Sequence, residues 1–384
     1  MDDFIKSVKT DKEAIEVFSN VVNCLKNGGF DLKKWISNSS AVMKSISFDL
    51  LSEAKTKTFE IEPLNSSILG LKWNVDGDSL EVSRGPQKPL PDVVNQRAVL
   101  SHVSSVFDPL GLFAPYNMRM RMLLKTVWKQ IGQDWDRPLA SEEIQLFAEW
   151  AEELQIVKEF RIQRKYFQED HANYQLHLFS DASLEAMCMV AYLRPDINEN
   201  ADISFVIGKC RIAPMKQLSI PRLELQAALY AVRLRQLITS EHDLGFTKFY
   251  HWTDSVTVLH WLHSANKKQN VFVGNRVAEI LEGSTIDEWK FANGTLNPAD
   301  IGTRGMTVKD LNESEWITGP AWLKHDNSCW PEQPSYFEST CDEDGIAATT
   351  LLATDTELNE VFFDWKRICS YQKYIRLIDK MSSF

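Results

Sequence analysis

The chain has 384 residues, of which 44% are hydrophobic and 25% charged, and its formal net charge is −11. This length exceeds one ordinary hydrophobic core, so we expect two or three domains. No apolar run approaches about 18 residues, which argues against a membrane-spanning helix. Residues 1–4 are acidic and lack a secretory pattern. The six cysteines form no C-x-x-C pair, which favours reduced thiols and a cytoplasmic or nuclear location over disulfides or a zinc site.

The negative net charge argues at first against a nucleic-acid-binding protein, but the charges are unevenly distributed. Residues 205–276 hold ten Lys/Arg against four Asp/Glu, whereas residues 332–360 hold eight acids and no base. The local sign decides how a surface meets a phosphate backbone. The basic stretch is therefore compatible with nucleic-acid binding; a solvated helix face followed by an acidic tail is the alternative.

In the first half of the chain, helical patterns flank a strand-rich stretch. Asp11 is the expected N-cap of the first helix, which Gly28 ends, and an Asp-Gly turn at residues 76–78 indicates a hairpin. Ser141, followed by two acids, indicates the start of another helix. The predicted elements are a helix over 11–28, a hairpin over 68–82, a joint over 85–92, mostly helical structure over 95–132 and a helix over 141–158.

The pattern changes near residue 174 to short strands mixed with helices. This order indicates a mixed α/β sheet that begins with antiparallel strands. Proline, serine and acids dominate from residue 331, which predicts a flexible tail. The predicted strands are 174–180, 187–193, 203–211, 248–253 and 289–292, and the predicted helices are 221–239, 255–263, 271–282, one beginning near Asp300, and 361–380.

Four carboxylates stand at comparable places in these elements. Asp181 and Asp254 end strands, Glu224 lies in the first turn of a helix beside small apolar residues, and Asp300 can begin the terminal helix. Singly, each could be a cap, a turn residue or a favourable helix-end charge. Together they would repel one another unless cations hold them. Hard oxygen ligands suit Mg²⁺, and two such ions are a common device for phosphodiester hydrolysis. The sequence predicts a site for two Mg²⁺ or Mn²⁺ ions.

The residues that flank these carboxylates are similar in sequence to those of a known family. Residues 170–312 resemble a ribonuclease H domain, whose acids occur in the order Asp, Glu, Asp, Asp. The motif segments are also similar to the Pol polyprotein of BEL/Pao-type retrotransposons, sometimes given the label of a Pao retrotransposon peptidase. The segments are Ser-Asp-Ala-Ser at 180–183, Arg-Leu-Glu-Leu at 222–225, Thr-Asp-Ser at 253–255 and Asn-Pro-Ala-Asp-Ile-Gly-Thr-Arg-Gly at 297–305.

The resemblance extends over about residues 1–330. Residues 1–4 resemble the end of the reverse-transcriptase Y-x-D-D motif, residues 69–73 the primer-grip region, and residues 97–111 the thumb and connection. It implies an α/β fold, a ribonuclease H-like mixed five-stranded sheet with flanking helices, preceded by an incomplete reverse-transcriptase palm, thumb and connection. The implied divisions are a palm remnant at 1–84, a thumb/connection-like helical region at 85–168, the ribonuclease H-like domain at 169–312, and a linker with an acidic flexible tail at 313–384.

The implied function is hydrolysis of the RNA strand of an RNA–DNA hybrid. Asp181, Glu224, Asp254 and Asp300 would be both catalytic residues and metal ligands. Ser183, Ser255 and Asn297 could contact 2′-hydroxyl groups. Lys209, Arg211, Lys216 and Arg222 could hold phosphates, or they could be solvated surface cations. The expected partners are a hybrid or another nucleic acid and the rest of a Pol polyprotein, without a membrane.

Other activities fit less well. Most of the polymerase palm and its other catalytic aspartate have no counterpart here, so we expect no reverse-transcriptase activity. An aspartic peptidase would need Asp-Ser/Thr-Gly, which does not occur. A transposase of the DDE type would place its Glu after the second Asp, and a DEDD exonuclease would need an acid at position 183. The main alternative is a catalytically silent transposon remnant that at most binds nucleic acid. His251, His260 and His263 are expected to be ordinary sheet or helix residues, with a proton shuttle as the alternative.

Overall fold

The computed structural model describes most of the chain up to residue 334. The described residues are 4–51, 65–68, 71–84, 89–132, 134–154, 161–169, 171–197 and 200–334. The predicted helix over 361–380 and nearly all of the predicted tail lie outside them, as does part of the predicted joint over 85–92. Among the described residues, none of the helices combines the length and apolar composition that a bilayer crossing requires.

The N-terminal segment contains two helices, α1 (Asp11–Asn27) and α2 (Ser40–Ser45). The expected cap of α1 was one residue off: the Thr10 side chain accepts the Glu13 backbone N–H, and Asp11 is already helical. A hydroxyl can do this as well as a carboxylate, so local sequence left both residues possible. A small cluster of apolar residues, with Val42 and Met43 at its centre, joins the two helices.

The first sheet contains the predicted hairpin. Strands β2 (Leu71–Asn74) and β3 (Ser79–Arg84) pair antiparallel, with Leu71 opposite Val82. Strand β1 (Asn65–Ile68) pairs with β2, and β3 also pairs with β4 (Val106–Phe107) and β5 (Arg161–Gln163). Because β5 lies far along the chain, this pairing fastens the hairpin to the segment that enters the second sheet.

Three helices lie between strands of the first sheet: α3 (Gln96–Val103) precedes β4, and α4 (Ala114–Ile131) and α5 (Ser141–Glu153) lie between β4 and β5. The predicted cap of α5 was also one residue off, because Ser141 is the first helical residue and Ala140 is the cap. The Ala140 N–H donates to the Glu143 carboxylate at 2.8 Å, which supplies the acidic first turn that the sequence indicated.

The second sheet is the mixed five-stranded sheet that the sequence predicted. Its order is β10-β9-β6-β7-β8; β7 pairs antiparallel with β6 and β8, whereas β9 runs parallel to β6 and β10. The fold class, an α/β fold with flanking helices, is therefore confirmed. The strands are β6 (Tyr174–Ala182), β7 (Ala186–Pro195), β8 (Ser204–Ile212), β9 (Phe246–Thr253) and β10 (Trp289–Phe291).

Helices cover both faces of this sheet, as alternating side chains require. Helix α6 (Ile220–Glu241) packs against Leu176, Leu178 and Met189, whereas α4 packs with Phe179, Cys188 and other residues of the opposite face. The remaining helices are α7 (Val256–His263), α8 (Val271–Gly283), α9 (Ala299–Arg304), α10 (Val308–Glu313) and α11 (Glu315–Thr318).

The segment before the second sheet is bound closely to it. The Gly208 N–H of β8 donates to Leu110 O at 2.8 Å, and the Trp316 indole donates to Gly111 O at 3.0 Å. A side chain at Gly208 would place its Cβ 2.3 Å from the Trp316 ring, so only glycine permits this approach. Lys125 of α4 is buried and donates to Leu184 O at 3.0 Å in the turn between β6 and β7.

Candidate active site

The sheet brings the four predicted carboxylates to one end. Asp181 is the second-last residue of β6, and Asp254 directly follows β9, which runs parallel to β6 beside it. The carboxyl ends of adjacent parallel strands meet at the same edge of a sheet. Glu224 is the fifth residue of α6, one residue later than in the predicted helix because α6 begins at Ile220, and Asp300 is the second residue of α9.

These carboxylates lie close enough for the charge of one to affect the pKa of another. Burial, together with the charges of Asp181, Glu224 and Asp300, raises the pKa of Asp254 to about 7. Burial and the nearby Asp300 raise the pKa of Asp181, and burial and the nearby Asp181 raise that of Glu224. Like charges gathered in a partly buried place favour the protonated acid. The carboxylates therefore form one electrostatically linked group, which we call the carboxylate site.

Two hydroxyl groups hold members of the carboxylate site in place. Thr303 Oγ1 donates to Asp181 Oδ2 at 2.6 Å, and Ser255 Oγ donates to Glu224 Oε2 at 2.6 Å. Hydrogen bonds to a carboxylate are shorter and stronger than those between neutral groups. Both hydroxyls belong to buried residues, so these bonds fix the direction of each carboxylate.

The other two carboxylates differ in their partners. Asp300 Oδ1 accepts from Arg304 Nε at 2.9 Å, one turn along α9, and the arginine side chain is largely exposed. Asp254 Oδ1 is buried and has no hydrogen-bond partner among the described residues. A buried oxygen of this kind is costly unless something compensates it. A cation is one such compensation.

The donor chemistry of the carboxylate site fits a hard divalent cation. Carboxylate oxygens are the ligands that Mg²⁺ takes in proteins, and the Asp254 Oδ1 oxygen has no competing protein partner among the residues described. Within the described residues, however, no three His, Cys, Asp or Glu side chains are arranged around a common point as metal ligands. Asp181, Glu224 and Asp300 each accept a side-chain hydrogen bond at one oxygen, which leaves acceptor capacity on each carboxylate for a cation.

The three small polar residues predicted to contact RNA lie at this end of the sheet. Ser183 is half-buried in the β6–β7 turn, where its hydroxyl accepts the Ala186 N–H at 3.1 Å. Ser255 is buried and also caps α7 by accepting the Val258 N–H. Asn297 is buried, and its amide donates to Ser180 O at 3.0 Å. The last two residues therefore shape the carboxylate site from within the protein.

The predicted cationic residues lie around edge strand β8 and the start of α6. The Arg211 guanidinium lies 4.4 Å from the Tyr230 ring centre, and that of Arg222 lies 5.4 Å from the Phe272 ring centre. Burial and the neighbouring Arg211 lower the pKa of Lys209 to about 7. Lys216 is exposed in the loop after β8. Because Cys210 of β8 aligns through Cys188 with Asp181, Arg211 and this loop lie at the carboxylate end of the sheet.

Sequence reasoning missed two residues that support the site. Thr303 follows Asp300 by three positions, a spacing that places both on one helical face and could have pointed to it. Lys125 had no comparable signal, because its role depends on a turn about 60 residues away. Its ammonium lies 3.0 Å from Glu185 Oε2 and 3.0 Å from Leu184 O, and it thereby holds the turn that carries Ser183.

The histidine nearest in sequence to Asp254 is part of the packed interior of the second sheet. His251 is fully buried and stacks on Trp289 with ring centres 4.7 Å apart. Burial lowers its pKa to about 3, so the ring is neutral at physiological pH. A neutral ring packed inside the sheet is suited to filling space, as the sequence analysis expected.

Comparison with known proteins gives one family match and one structural similarity to report. Residues 95–255 match the family described as Pao retrotransposon-like RNaseH-like domain. The crystal structure of RNase H1 from the halophilic archaeon Halobacterium salinarum NRC-1 is similar with 13% identity, over 37% of this chain and 99% of that chain, at a TM-score of 0.24. None of the curated proteins matches. Residues 95–255, which include most of the second sheet, are therefore similar to the ribonuclease H-like domain of Pao retrotransposons.

Proposed function

We propose that this domain hydrolyses the RNA strand of RNA–DNA hybrids with two bound Mg²⁺ or Mn²⁺ ions. The observation that carries the proposal is the carboxylate site, where four linked acids include a buried Asp254 oxygen without a hydrogen-bond partner among the described residues. Such a group is expensive for stability unless it serves to bind cations. The family match supports the same proposal, since the matched residues include Asp181, Glu224 and Asp254.

In this proposal, Asp181, Glu224, Asp254 and Asp300 hold the ions. When bound, such ions supply a water-derived nucleophile and neutralise charge on the leaving oxygen. The protein's own contribution is positional. Thr303 and Ser255 orient Asp181 and Glu224 through their hydroxyl groups, while Asn297 ties the loop before α9 to the end of β6.

The nucleic acid would lie across the carboxylate end of the sheet. Arg211 and Lys216 lie at this end, and cations attract the phosphate backbone without reading sequence. Arg222 and Lys209 would extend the same surface. The exposed side of the β6–β7 turn at Ser183 could meet a 2′-hydroxyl group, which distinguishes RNA from DNA.

The wider context is also proposed from the resemblance. The chain would act inside a cell as part of a longer Pol polyprotein. Residues 1–84 would be the end of a palm and residues 85–168 a thumb and connection, ahead of the hydrolytic domain at 169–312 and a tail at 313–384.

The direct test uses a labelled RNA strand annealed to DNA. Purified full chain with Mg²⁺ should cut the RNA and leave duplex DNA intact, and EDTA should stop the reaction. Asp181→Asn should lower the rate at least about 100-fold, because it removes one of the carboxylates that would hold the ions. Glu282→Gln, an exposed acid of α8, makes the same charge change and should leave the rate unchanged. Cutting that persists in Asp181→Asn would overturn the proposal.

A second measurement separates a working site from a silent remnant. If the carboxylate site binds Mg²⁺, the melting temperature should rise with Mg²⁺ concentration, because ligands that bind only the folded state stabilise it. Asp181→Asn should lose this rise. The catalytically silent alternative would be favoured if Mg²⁺ and Mn²⁺ leave the melting temperature unchanged and the protein binds the hybrid without cutting it.

A further inference from the structure

A second candidate site lies in the N-terminal part of the protein. A cavity of about 670 Å³ is enclosed by residues 4–11 and 32–39, helices α1 and α2, and residues 164–165. This volume falls in the range of sites that hold small molecules or a nucleotide. None of the residues of the carboxylate site lines it, so the two places are separate.

The lining of this cavity is basic, although the chain as a whole is acidic. Asp78 and Arg164 form a two-pronged ion pair at 2.7 and 2.8 Å, so their charges offset each other. The remaining charged residues of the lining are mostly lysines, and Lys33 and Lys34 are exposed at its rim. A local excess of lysines attracts anions even when the net charge is −11. The charged residues are Lys6, Lys9, Lys33, Lys34, Arg164 and Lys165 against Asp11 and Asp78.

Aromatic rings line the same cavity. The Trp35 ring centre lies 4.8 Å from that of Phe18 and 6.1 Å from that of Phe4, which is 45% exposed. The Trp35 indole N–H is buried and has no hydrogen-bond partner among the described residues. Rings beside cations are the combination that binds single-stranded nucleic acid, because bases stack on rings while phosphates meet the positive charges.

The backbone at Lys34 is held in an uncommon conformation. Its φ is 63°, in the left-handed region that favours glycine. A lysine in this conformation costs stability, and Lys34 is one of the residues that line the cavity. Backbone strain of this kind is often found at ligand-binding places.

From these observations we propose that the cavity binds single-stranded nucleic acid. A base would stack against the exposed face of Phe4 beside Trp35, and phosphates would contact Lys33 and Lys34. The site would act without divalent ions and without hydrolysis, so it does not depend on the function proposed for the carboxylate site. An acidic peptide could pair with the charges of the lysines, but its carboxylates would not stack on the aromatic rings.

The test measures fluorescence anisotropy of a labelled 12-nucleotide single-stranded DNA with the full chain in EDTA. The double variant Lys33→Glu/Lys34→Glu should weaken binding at least about tenfold and reduce the salt slope by about 2, because two phosphate contacts are lost. The matched control is Lys26→Glu/Lys44→Glu, which makes the same charge change at exposed positions outside the cavity lining. The control should weaken binding less than about twofold.

A second pair of variants tests the contribution of the aromatic rings. Phe4→Ala should weaken binding about fivefold or more, because a stacked base contributes about 1–3 kcal/mol. Phe30→Ala, a 68% exposed ring outside the lining, should have no effect. Poly-glutamate should compete poorly with the oligonucleotide.

Three results would overturn this inference: equal weakening by both lysine pairs, equal binding by Phe4→Ala and wild type, or full competition by poly-glutamate. Unchanged melting temperatures would show that each variant folds. Asp181→Asn should bind the oligonucleotide like the wild type, so a failure of the hydrolytic proposal would remain distinguishable from a failure of this one.

Discussion

The carboxylate site and the basic cavity gather like charges in opposite ways. At the carboxylate site the acids are partly buried, and burial together with the charges of the neighbouring acids raises the pKa of Asp254 to about 7. At the basic cavity Lys33 and Lys34 stay exposed to water. Burying like charges costs free energy that folding must offset, whereas exposed charges are screened and cost little.

The two regions also differ in how firmly their residues are held. Hydrogen bonds of 2.6 Å fix Asp181 and Glu224, and the surrounding residues belong to the continuous core of the second sheet. The cavity is lined by loops and by two helices that share only a small apolar cluster. Chemistry on phosphorus needs side chains in fixed positions, while attraction of a flexible strand needs mainly charge and rings. The following predictions test this contrast.

The largest expected effect concerns packing beneath the carboxylate site. A Cβ at Gly302 would lie 2.2 Å from Cys188 Sγ and 2.7 Å from Cys210 Sγ. Both sulfurs are buried in the sheet, so Gly302→Ala must push α9 away. We expect a loss of about 3 kcal/mol in the free energy of unfolding, measured by urea denaturation, with loss of hydrolysis.

The control for this packing prediction is Gly274→Ala. The nearest atom to its Cβ would be 3.9 Å away, so the change should stabilise helix α8 by about 0.5–1 kcal/mol. Equal stability of the Gly302→Ala and Gly274→Ala proteins would show that α9 is not packed as described.

The next prediction concerns the free energy that the charged Asp254 costs the folded protein at the carboxylate site. In EDTA, Asp254 has a folded pKa of about 7, above the ordinary 3.8, so the folded state holds its proton more tightly. Stability should therefore fall as pH rises from about 4 through 7. The shift corresponds to at most about 4 kcal/mol. Because Asp254 is only partly buried, we expect Asp254→Asn to raise the free energy of unfolding by about 2 kcal/mol at pH 8.

This gain should disappear below pH 4, where wild-type Asp254 is protonated in both states, and unfolding at several pH values measures it. Asp243→Asn removes an exposed charge and should change stability by no more than about 0.5 kcal/mol. If Asp254→Asn destabilises the metal-free protein at pH 8, the burial and repulsion of the Asp254 charge are not a net cost to the stability of this site.

A smaller effect concerns orientation of Asp181. Thr303→Val keeps the shape of the side chain but removes the hydroxyl that donates to Asp181 Oδ2. We expect about tenfold slower hydrolysis, the lower end of the range for losing one hydrogen bond to a charged group, and a higher Mg²⁺ concentration for half-maximal rate. Thr303→Ser restores the hydroxyl and should recover most of the activity. If valine and serine behave alike, Thr303 contributes packing only.

The sequence analysis succeeded where local pattern is strong. Alternating apolar residues and turn signals placed all five strands of the second sheet within a few residues, and strand ends led to Asp181 and Asp254. It failed where a contact joins distant segments. Nothing near Lys125 indicates the turn at Leu184 that it holds. The basic cavity has the same origin, since residues 4–11, 32–39 and 164–165 are distant in sequence and line one cavity only in the folded protein.

The smallest expected effect is the counterpart of Asp254→Asn in the basic cavity. Lys33→Gln/Lys34→Gln removes two like charges, but both side chains are exposed and water already screens them. The free energy of unfolding should change by less than about 0.5 kcal/mol between pH 6 and 8, measured by urea denaturation at low salt. Oligonucleotide binding should nevertheless weaken, because attraction of a phosphate backbone depends on these charges and not on their burial. A stability change above about 1 kcal/mol would mean that the lysines support the fold at this rim, and the contrast between costly buried charge and inexpensive exposed charge would no longer separate the two sites.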